Sequence, residues 1–314
     1  MQDKSDISQK IKTKAKELGF LDCAILPAGE LSEEKEHLTN WLKNEMHGQL
    51  GYMACNVAKR LNPQLLVENV KSIIIVLLNY YPQQTQTDRN APVISKFAYG
   101  TDYHFVLKNK LKKLLAFIQT EITPCNARAF TDSAPILERA WARRAGLGWI
   151  GKNSNLISVT HGSFFFIGEL FLDIELPYDT PNQVPDHCGA CTRCIDACPT
   201  LAILPNRTIN ARKCISYQTI EMKGNLDENF KGKFENRVFG CDICQDVCTW
   251  NQKPKPHNEP DFEPHPYLLQ LSKNEWHQLE QVLFNTIFKK SAVKRAGFNR
   301  LKRNLQFIKV TNFI

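Results

Sequence analysis

Two cysteine runs in the second half of this 314-residue chain have the spacing that holds iron and sulfide. Cys188, Cys191, Cys194 and Cys198, followed by Pro199, spell CxxCxxCxxxCP, and Cys241, Cys244 and Cys248 repeat most of that run. Bacterial ferredoxins use it to ligate [4Fe–4S] clusters, the fourth cysteine serving the other cluster of a pair. Two such clusters need eight thiolates. The runs supply seven, because Val238 stands where a full second run would begin, and Cys214 between them can fill the gap. With the crossover, one cluster takes Cys188, Cys191, Cys194 and Cys248, and the other takes Cys198, Cys214, Cys241 and Cys244. The chemistry implied is electron transfer.

Structural zinc also uses CxxC pairs, but it takes four ligands in two pairs, which this pattern exceeds. Disulfides belong to oxidising compartments and small scaffolds. The N-terminus lacks an uninterrupted apolar segment, and Asp3, Asp6 and Glu17 do not suit a transit peptide. No apolar run is long enough to span a bilayer. The expected setting is a reducing cytoplasm without a membrane. Cys23, Cys55 and Cys125 stand alone and receive no role.

A chain this long, 43% apolar, has room for a core well beyond a ferredoxin, so other residues must use the electrons. Ile7, Ile11, Ala15 and Leu18 share a helical face that stops at Gly19. Residues 70 to 78 form a β-branched run that suits a buried strand. A helix is expected from about Phe105 to Ile122, with Leu107, Leu111, Leu114, Leu115 and Ile118 inward. A short strand should end near Asp132, with Asp132 or Ser133 capping the next helix, Pro135 in its first turn and Gly146 at its end. Residues 155 to 160 and 163 to 174 read as a hairpin turning at His161 and Gly162. The fold class is therefore α+β. A mixed catalytic domain covers 1–180, a ferredoxin-like 2[4Fe–4S] domain covers 181–255 between proline-rich stretches, and a short helical basic segment covers 256–314.

The net charge of +8 is unevenly placed. Lys289, Lys290, Lys294, Arg295, Arg300, Lys302, Arg303 and Lys309 lie in the last 26 residues without an acid, and the rest of the chain is balanced. Leu301, Leu305 and Ile308 recur between them at helical spacing. The segment reads either as a phosphate-binding stripe or as an ordinary solvated helix face. Gly146, Gly148 and Gly151 before Lys152 and Asn153 invite a phosphate-loop reading, but Asn153 stands where a Walker loop needs Ser or Thr. The run also fails as a dinucleotide fingerprint, which leaves a loop closely approached by a large ligand.

The segments KRLNP (59 to 63), YGTDYH (99 to 104), TDSAPILERAWARRAGLGWIGKNSNLIS (131 to 158), GSFFFIGEL (162 to 170), CISYQTIEMKG (214 to 224) and NRVFGCDICQDVC (236 to 248), with the first cysteine run, resemble the epoxyqueuosine reductases over most of residues 1 to 250. The resemblance implies a monomeric, cobalamin-dependent oxidoreductase with two [4Fe–4S] clusters. Its catalytic domain would be related to that of corrinoid reductive dehalogenases. It would perform the last step of tRNA queuosine biosynthesis, reducing the epoxide of epoxyqueuosine at the wobble position to the alkene through cob(I)alamin. The partners implied are a tRNA with a queuosine-type anticodon and a low-potential electron donor such as a flavodoxin or ferredoxin.

By the same resemblance Asp132 is the proton donor, and Arg60, Ser95, Asp132, Leu156, Ile167, Ser216, Asp242 and Ile243 line the cobalamin. Ser95 stands where some relatives have cysteine. To hold a proton at neutral pH, Asp132 needs a raised pKa. Asp102 and His104 begin a DxHxxG-like string, but Leu107 replaces the glycine, so His104 is not expected to ligate cobalt. Many relatives continue into HEAT-like repeats, of which only the beginning, 294 to 307, is present, so the basic tail becomes the expected phosphate contact. A corrinoid dehalogenase and a non-enzymatic electron carrier are the alternatives.

Overall fold

In the computed structural model, which describes residues 4–308 apart from Thr87, the two longest apolar runs become the middle strands of one sheet. In chain order the strands are β1 (Asp22–Pro27), β2 (Ser72–Asn79), β3 (Val93–Ile94), β4 (Ala127–Phe130), β5 (Trp149–Ile150), β6 (Leu156–Ile157), β7 (Phe165–Leu172) and β8 (Arg237–Phe239). An antiparallel sheet runs β1-β2-β7-β4. Ile74, Val76 and Leu78 turn one face to the helices Lys4–Glu17 and Tyr103–Phe117. Ile73, Ile75 and Leu77 turn the other to Ala140, Trp141 and Ala142 of the helix Glu138–Arg144. Both faces are covered, which is why neither strand alternates with polar residues.

The helix Tyr103–Phe117 starts two residues before its expected position, because Asp102 caps it by accepting the His104 N–H at 3.0 Å. It continues as a π-helical turn over Ile118–Ile122. Leu107, Leu111 and Leu114 are fully buried, each contributing about 1.5–3 kcal/mol. That outweighs the repulsion of Lys108 and Lys112, which costs about 0.2–0.5 kcal/mol. A Cβ on Gly168 would come within 2.9 Å of Leu107, so the missing side chain lets this helix press onto the sheet. His104 is thereby held at the sheet edge.

Two local expectations are overturned. The stretch 155–174 is not a hairpin. Ser158 and Gly162 do bridge, but β6 pairs with β5, and β7 pairs with β2 and β4. An eight-residue strand apolar on both faces is stabilised by a central place, and the two-residue β6 cannot partner its length. Asp132 is not a helix cap either: the helix Glu138–Arg144 follows Leu137, and Asp132 has φ +55. A cap contributes about 1 kcal/mol, and a left-handed non-glycine costs about 1–2 kcal/mol. Local stability is surrendered twice at this residue, as happens where function constrains the backbone.

A second core joins segments that the sequence separated. Strand β3 pairs in parallel with β8, and Ile94, Ala98 and Tyr99 pack with Phe234, Val238, Phe239, Phe284, Phe288 and Leu301. Buried residues from Leu268 to Ile308 therefore share their apolar interior with the ferredoxin-like region, while Phe262 packs into the sheet core. Leu301, Leu305 and Ile308 face inward on the helix Phe298–Ile308, as expected.

The basic run is not one solvated stripe. Arg303 donates to the carbonyls of Gln218, Met222 and Gly224, Arg300 donates to that of Ile220, and Arg295 pairs with Glu221 at 2.5 Å. These guanidinium groups satisfy the carbonyl end of the short helix Ile215–Ile220 and the turn after it. Lys289, Lys290, Lys294 and Lys302 remain exposed, and Lys309 lies outside the described residues. No helix among the described residues is long and apolar enough to cross a membrane.

Candidate active site

The eight thiols lie within electrostatic range of one another in two adjoining groups. Cys194 feels the charges of Cys188, Cys248 and Cys191, and Cys248 those of Cys188 and Cys191. Cys214 feels Cys198, and Cys241 feels Cys214. Cys244 feels Cys214 and Cys241, and also Cys194 of the first set, which marks where the sets adjoin. Burial comes first in raising Cys194, Cys214, Cys241, Cys244 and Cys248, pushing Cys241 up to about 12, so cluster uptake must displace their protons. Among the described residues no three His, Cys, Asp or Glu side chains close on a point as a single ion requires. A four-iron cluster spreads its thiolates over a larger body than a single ion does.

The glycine-rich loop after residue 146 is tied by hydrogen bonds to both cysteine runs. A Cβ on Gly148 would lie 2.2 Å from the Ile157 carbonyl oxygen, so the glycine serves the β5–β6 turn. Lys152 Nζ donates to the carbonyls of Gly189 at 2.7 Å and Cys191 at 2.9 Å. Asn153 donates to the Cys244 carbonyl at 3.3 Å, and Trp149 Nε1 donates to Cys188 Sγ at 3.4 Å. One loop of the catalytic region therefore holds both cysteine runs, a role that sequence reading missed because the partners lie 37 to 91 residues away.

A cavity of about 640 Å³ opens beside the second thiol set. Cys198, Cys214, Cys241 and Cys244 belong to its wall, whereas Cys188, Cys191, Cys194 and Cys248 do not. Of the expected lining residues, Arg60, Ser95, Asp132, Ser216, Asp242 and Ile243 reach it. Leu156 and Ile167 do not. They are buried in the apolar cluster beneath, since β6 and β7 turn these side chains toward the helix Glu138–Arg144. Ser95 Oγ donates to Asp242 Oδ1 at 2.5 Å, and the Lys96 N–H donates to Oδ2 at 2.8 Å, which ties β3 to the second cysteine run. Arg60 is buried. Its Nη2 donates to the Tyr52 carbonyl at 2.8 Å, and its Nε has no hydrogen-bond partner among the described residues. A buried cation with a free donor suits an anionic ligand group.

Asp132 lines the same cavity, and its partner is His104. His104 Nε2 lies 3.2 Å from Asp132 Oδ2, and Nδ1 lies 2.6 Å from Asp102 Oδ1. Burial opposes charge on the imidazole, but hydrogen bonds to both carboxylates hold its pKa at about 9. Both ring nitrogens then carry protons. The raised pKa expected of Asp132 is not found. The cavity walls push it up, but the His104 hydrogen bond and charge and the Tyr103 hydroxyl outweigh them and hold it low. The Asp132 side chain is 61% exposed, so solvent screens part of this pairing, although the direction stands. The proton available at neutral pH therefore resides on His104, one hydrogen bond from Asp132. Sequence reading overlooked this histidine as a partner, because 28 residues separate the two. The neighbouring Tyr103 stacks on His104 at 4.2 Å and on Phe166 at 4.1 Å, fixing the imidazole plane.

The family model described as Epoxyqueuosine reductase QueG, DUF1730, matches residues 60–133, and that of a 4Fe-4S double cluster binding domain matches residues 187–251. An epoxyqueuosine reductase of Cellulophaga algicola is 52% identical over 98% of this chain and 100% of its own length. The chain belongs to the epoxyqueuosine reductase family. It is accordingly an oxidoreductase with a double-cluster domain. An epoxyqueuosine reductase structure with an epoxyqueuosine-modified stem loop of tyrosine tRNA has TM-score 0.88 at 27% identity, covering 98% of this chain and 81% of that one. The Bacillus subtilis epoxyqueuosine reductase, with the catalytic loop of an aspartate swung out of its active site, has TM-score 0.87 at 28% identity, covering 98% and 82%. A catabolic reductive dehalogenase shares the fold at TM-score 0.53 and 16% identity over 97% of this chain and 38% of that one. Membership of the epoxyqueuosine reductase family separates this chain from the dehalogenase and electron-carrier alternatives.

Proposed function

We propose that this chain reduces epoxyqueuosine to queuosine at the wobble position of tRNA, the last step of queuosine biosynthesis, with cobalamin in the 640 Å³ cavity and electrons passed through two [4Fe–4S] clusters. The observation that carries the reading is that one cavity wall contains both a proton source, Asp132 with His104 behind it, and the four thiols of one cluster set. Reductive opening of an epoxide needs electrons and protons at one place. Family membership, and a relative seen with an epoxyqueuosine-modified stem loop, support tRNA as the substrate.

Bound in the cavity, cobalamin supplies a cobalt centre that is strongly nucleophilic when reduced and suited to an unactivated epoxide. Arg60 with its free Nε would meet the cofactor's phosphate, and Ser95, Ser216, Asp242 and Ile243 would line it, with Leu156 and Ile167 buttressing the wall. Because both nitrogens of His104 are engaged, the protein side offers cobalt no imidazole from this residue. The epoxide oxygen receives the proton of His104 Nε2, which Asp132 Oδ2 takes up across the 3.2 Å bond and relays to it. The catalytic aspartate loop of the Bacillus subtilis relative supports that role. Of the two cysteine sets, the one away from the cavity includes the exposed Cys191, so a flavodoxin- or ferredoxin-type donor docks there.

For the tRNA, the segment after Lys289 lies against the active-site edge. The Asp102 N–H donates to the Lys290 carbonyl at 2.7 Å, and Ser291 Oγ donates to the Ala98 carbonyl at 2.8 Å. Exposed Lys289, Lys290 and Lys294 are thus positioned to meet phosphates beside the reacting nucleoside.

Anaerobically purified protein should contain about eight irons per chain and bind about one cobalamin. With a low-potential reductant it should convert an epoxyqueuosine-containing anticodon stem-loop to the alkene. Loaded protein that yields no alkene would defeat the reading.

A further inference from the structure

Glu169 is the one charged residue type on β7, fully buried, and neither carboxylate oxygen has a hydrogen-bond partner among the described residues. Alternation along the strand turns it to the face of Phe165, Ile167 and Phe171, into the apolar cluster with Ile136, Ala140 and Trp141. Its strand neighbours are Ile75 on β2 and Phe130 on β4, two residues before Asp132. An unpaired carboxylate in such surroundings is among the costliest arrangements a side chain can adopt, so the group stays protonated. Burial first, then the charges of Glu138 and Asp132, raise its pKa well above the usual range.

Glu138 connects it to the site. It lines the cavity and accepts the Asp132 backbone N–H. It faces Asp132, Arg139 and His104, and burial followed by the Asp132 charge pushes it up to about 8. Three carboxyl groups thus occur together, with Asp132 exposed, Glu138 in the wall and Glu169 fully enclosed.

The proposed reaction, on which this inference rests, consumes two protons and two electrons at one oxygen. The epoxide loses both C–O bonds, the carbons become an alkene, and the oxygen departs as water. The electrons come from the low-potential donor. The His104–Asp132 pair carries one proton. We propose that Glu138, in the cavity wall and hydrogen-bonded to the Asp132 backbone N–H, is the proton reservoir that recharges Asp132 for the second transfer. Solvent refills the pair between turnovers. Glu138 acts through Asp132, and the neutral Glu169 keeps a further negative charge out of the wall behind it.

Infrared spectroscopy of the protein without substrate tests the reservoir directly. Wild-type protein at neutral pH should show protonated-carboxyl bands. Glu169→Gln should remove one, and Glu138→Gln, which keeps an oxygen to accept the Asp132 N–H, should remove another that titrates near pH 8. In single turnover on the epoxyqueuosine stem-loop, Glu138→Gln should retain iron, cobalamin and substrate affinity. Its rate should fall by about 10²-fold at alkaline pH and by much less in acid, where solvent protons reach Asp132. Absence of the Glu138 band from wild type, or a wild-type rate in Glu138→Gln at every pH, would overturn the reservoir alone. Intact bands without any wild-type turnover would instead overturn the reaction, and the reservoir's role with it.

Discussion

His104 bridges two carboxylates, with Nε2 3.2 Å from Asp132 and Nδ1 2.6 Å from Asp102. Its pKa is raised from 6.5 to about 9, so its stabilising charge is fully present below about pH 6.5 and is lost as pH rises through about 9. Unfolding free energy should fall across that window by on the order of 1 kcal/mol, discounted for the exposure of Asp132, and His104→Gln should abolish the dependence. Turnover should decline through the same window. A flat wild-type profile from neutrality to pH 9 would refute a charged His104.

Asp132→Asn keeps the side-chain shape and removes the proton site. It should lower single-turnover rate by about 10²–10⁴-fold with unchanged iron and cobalamin content. A variant within tenfold of wild type would exclude Asp132 as the donor.

The thiol sets predict selective loss. Cys214→Ser and Cys248→Ser should each reduce iron from about eight to about four per chain, the first disturbing the set in the cavity wall and the second sparing it. Paramagnetic resonance of the reduced variants would then show one cluster instead of an interacting pair. Unchanged iron in Cys214→Ser would exclude Cys214 as a ligand.

Trp149 donates its indole N–H to Cys188 Sγ at 3.4 Å, and it packs edge-on against His187 and Trp250, each at 5.0 Å. A donor at a ligating sulfur favours the reduced, more negative cluster. Trp149→Phe should lower that cluster's potential by on the order of 40 mV, the equivalent of a hydrogen bond of about 1 kcal/mol, read by redox titration. The potential of the other cluster should not move.

What was legible in the chain depended on spacing. The cysteine runs, the helix through Leu107 and Leu114 and the strand 72–79 could be read because each pattern is a local repeat imposed by backbone geometry or by a cluster's ligand count. The same local reasoning misplaced Asp132 as a cap and 155–174 as a hairpin, because it scored nearby residues that the fold sends elsewhere.

Sequence alone supplied the candidates for the chemistry: thiolates for two clusters, an aspartate in a family-like segment and a cationic C-terminus. Tertiary structure decided which groups act together. It joined His104 to Asp132 across 28 residues, Lys152 to the Cys191 loop across 39, and Arg303 to the Gln218 carbonyl across 85. It also placed Glu169 beyond solvent. Proton affinity and charge pairing depend on distance and enclosure in space, and a linear order of residues contains neither.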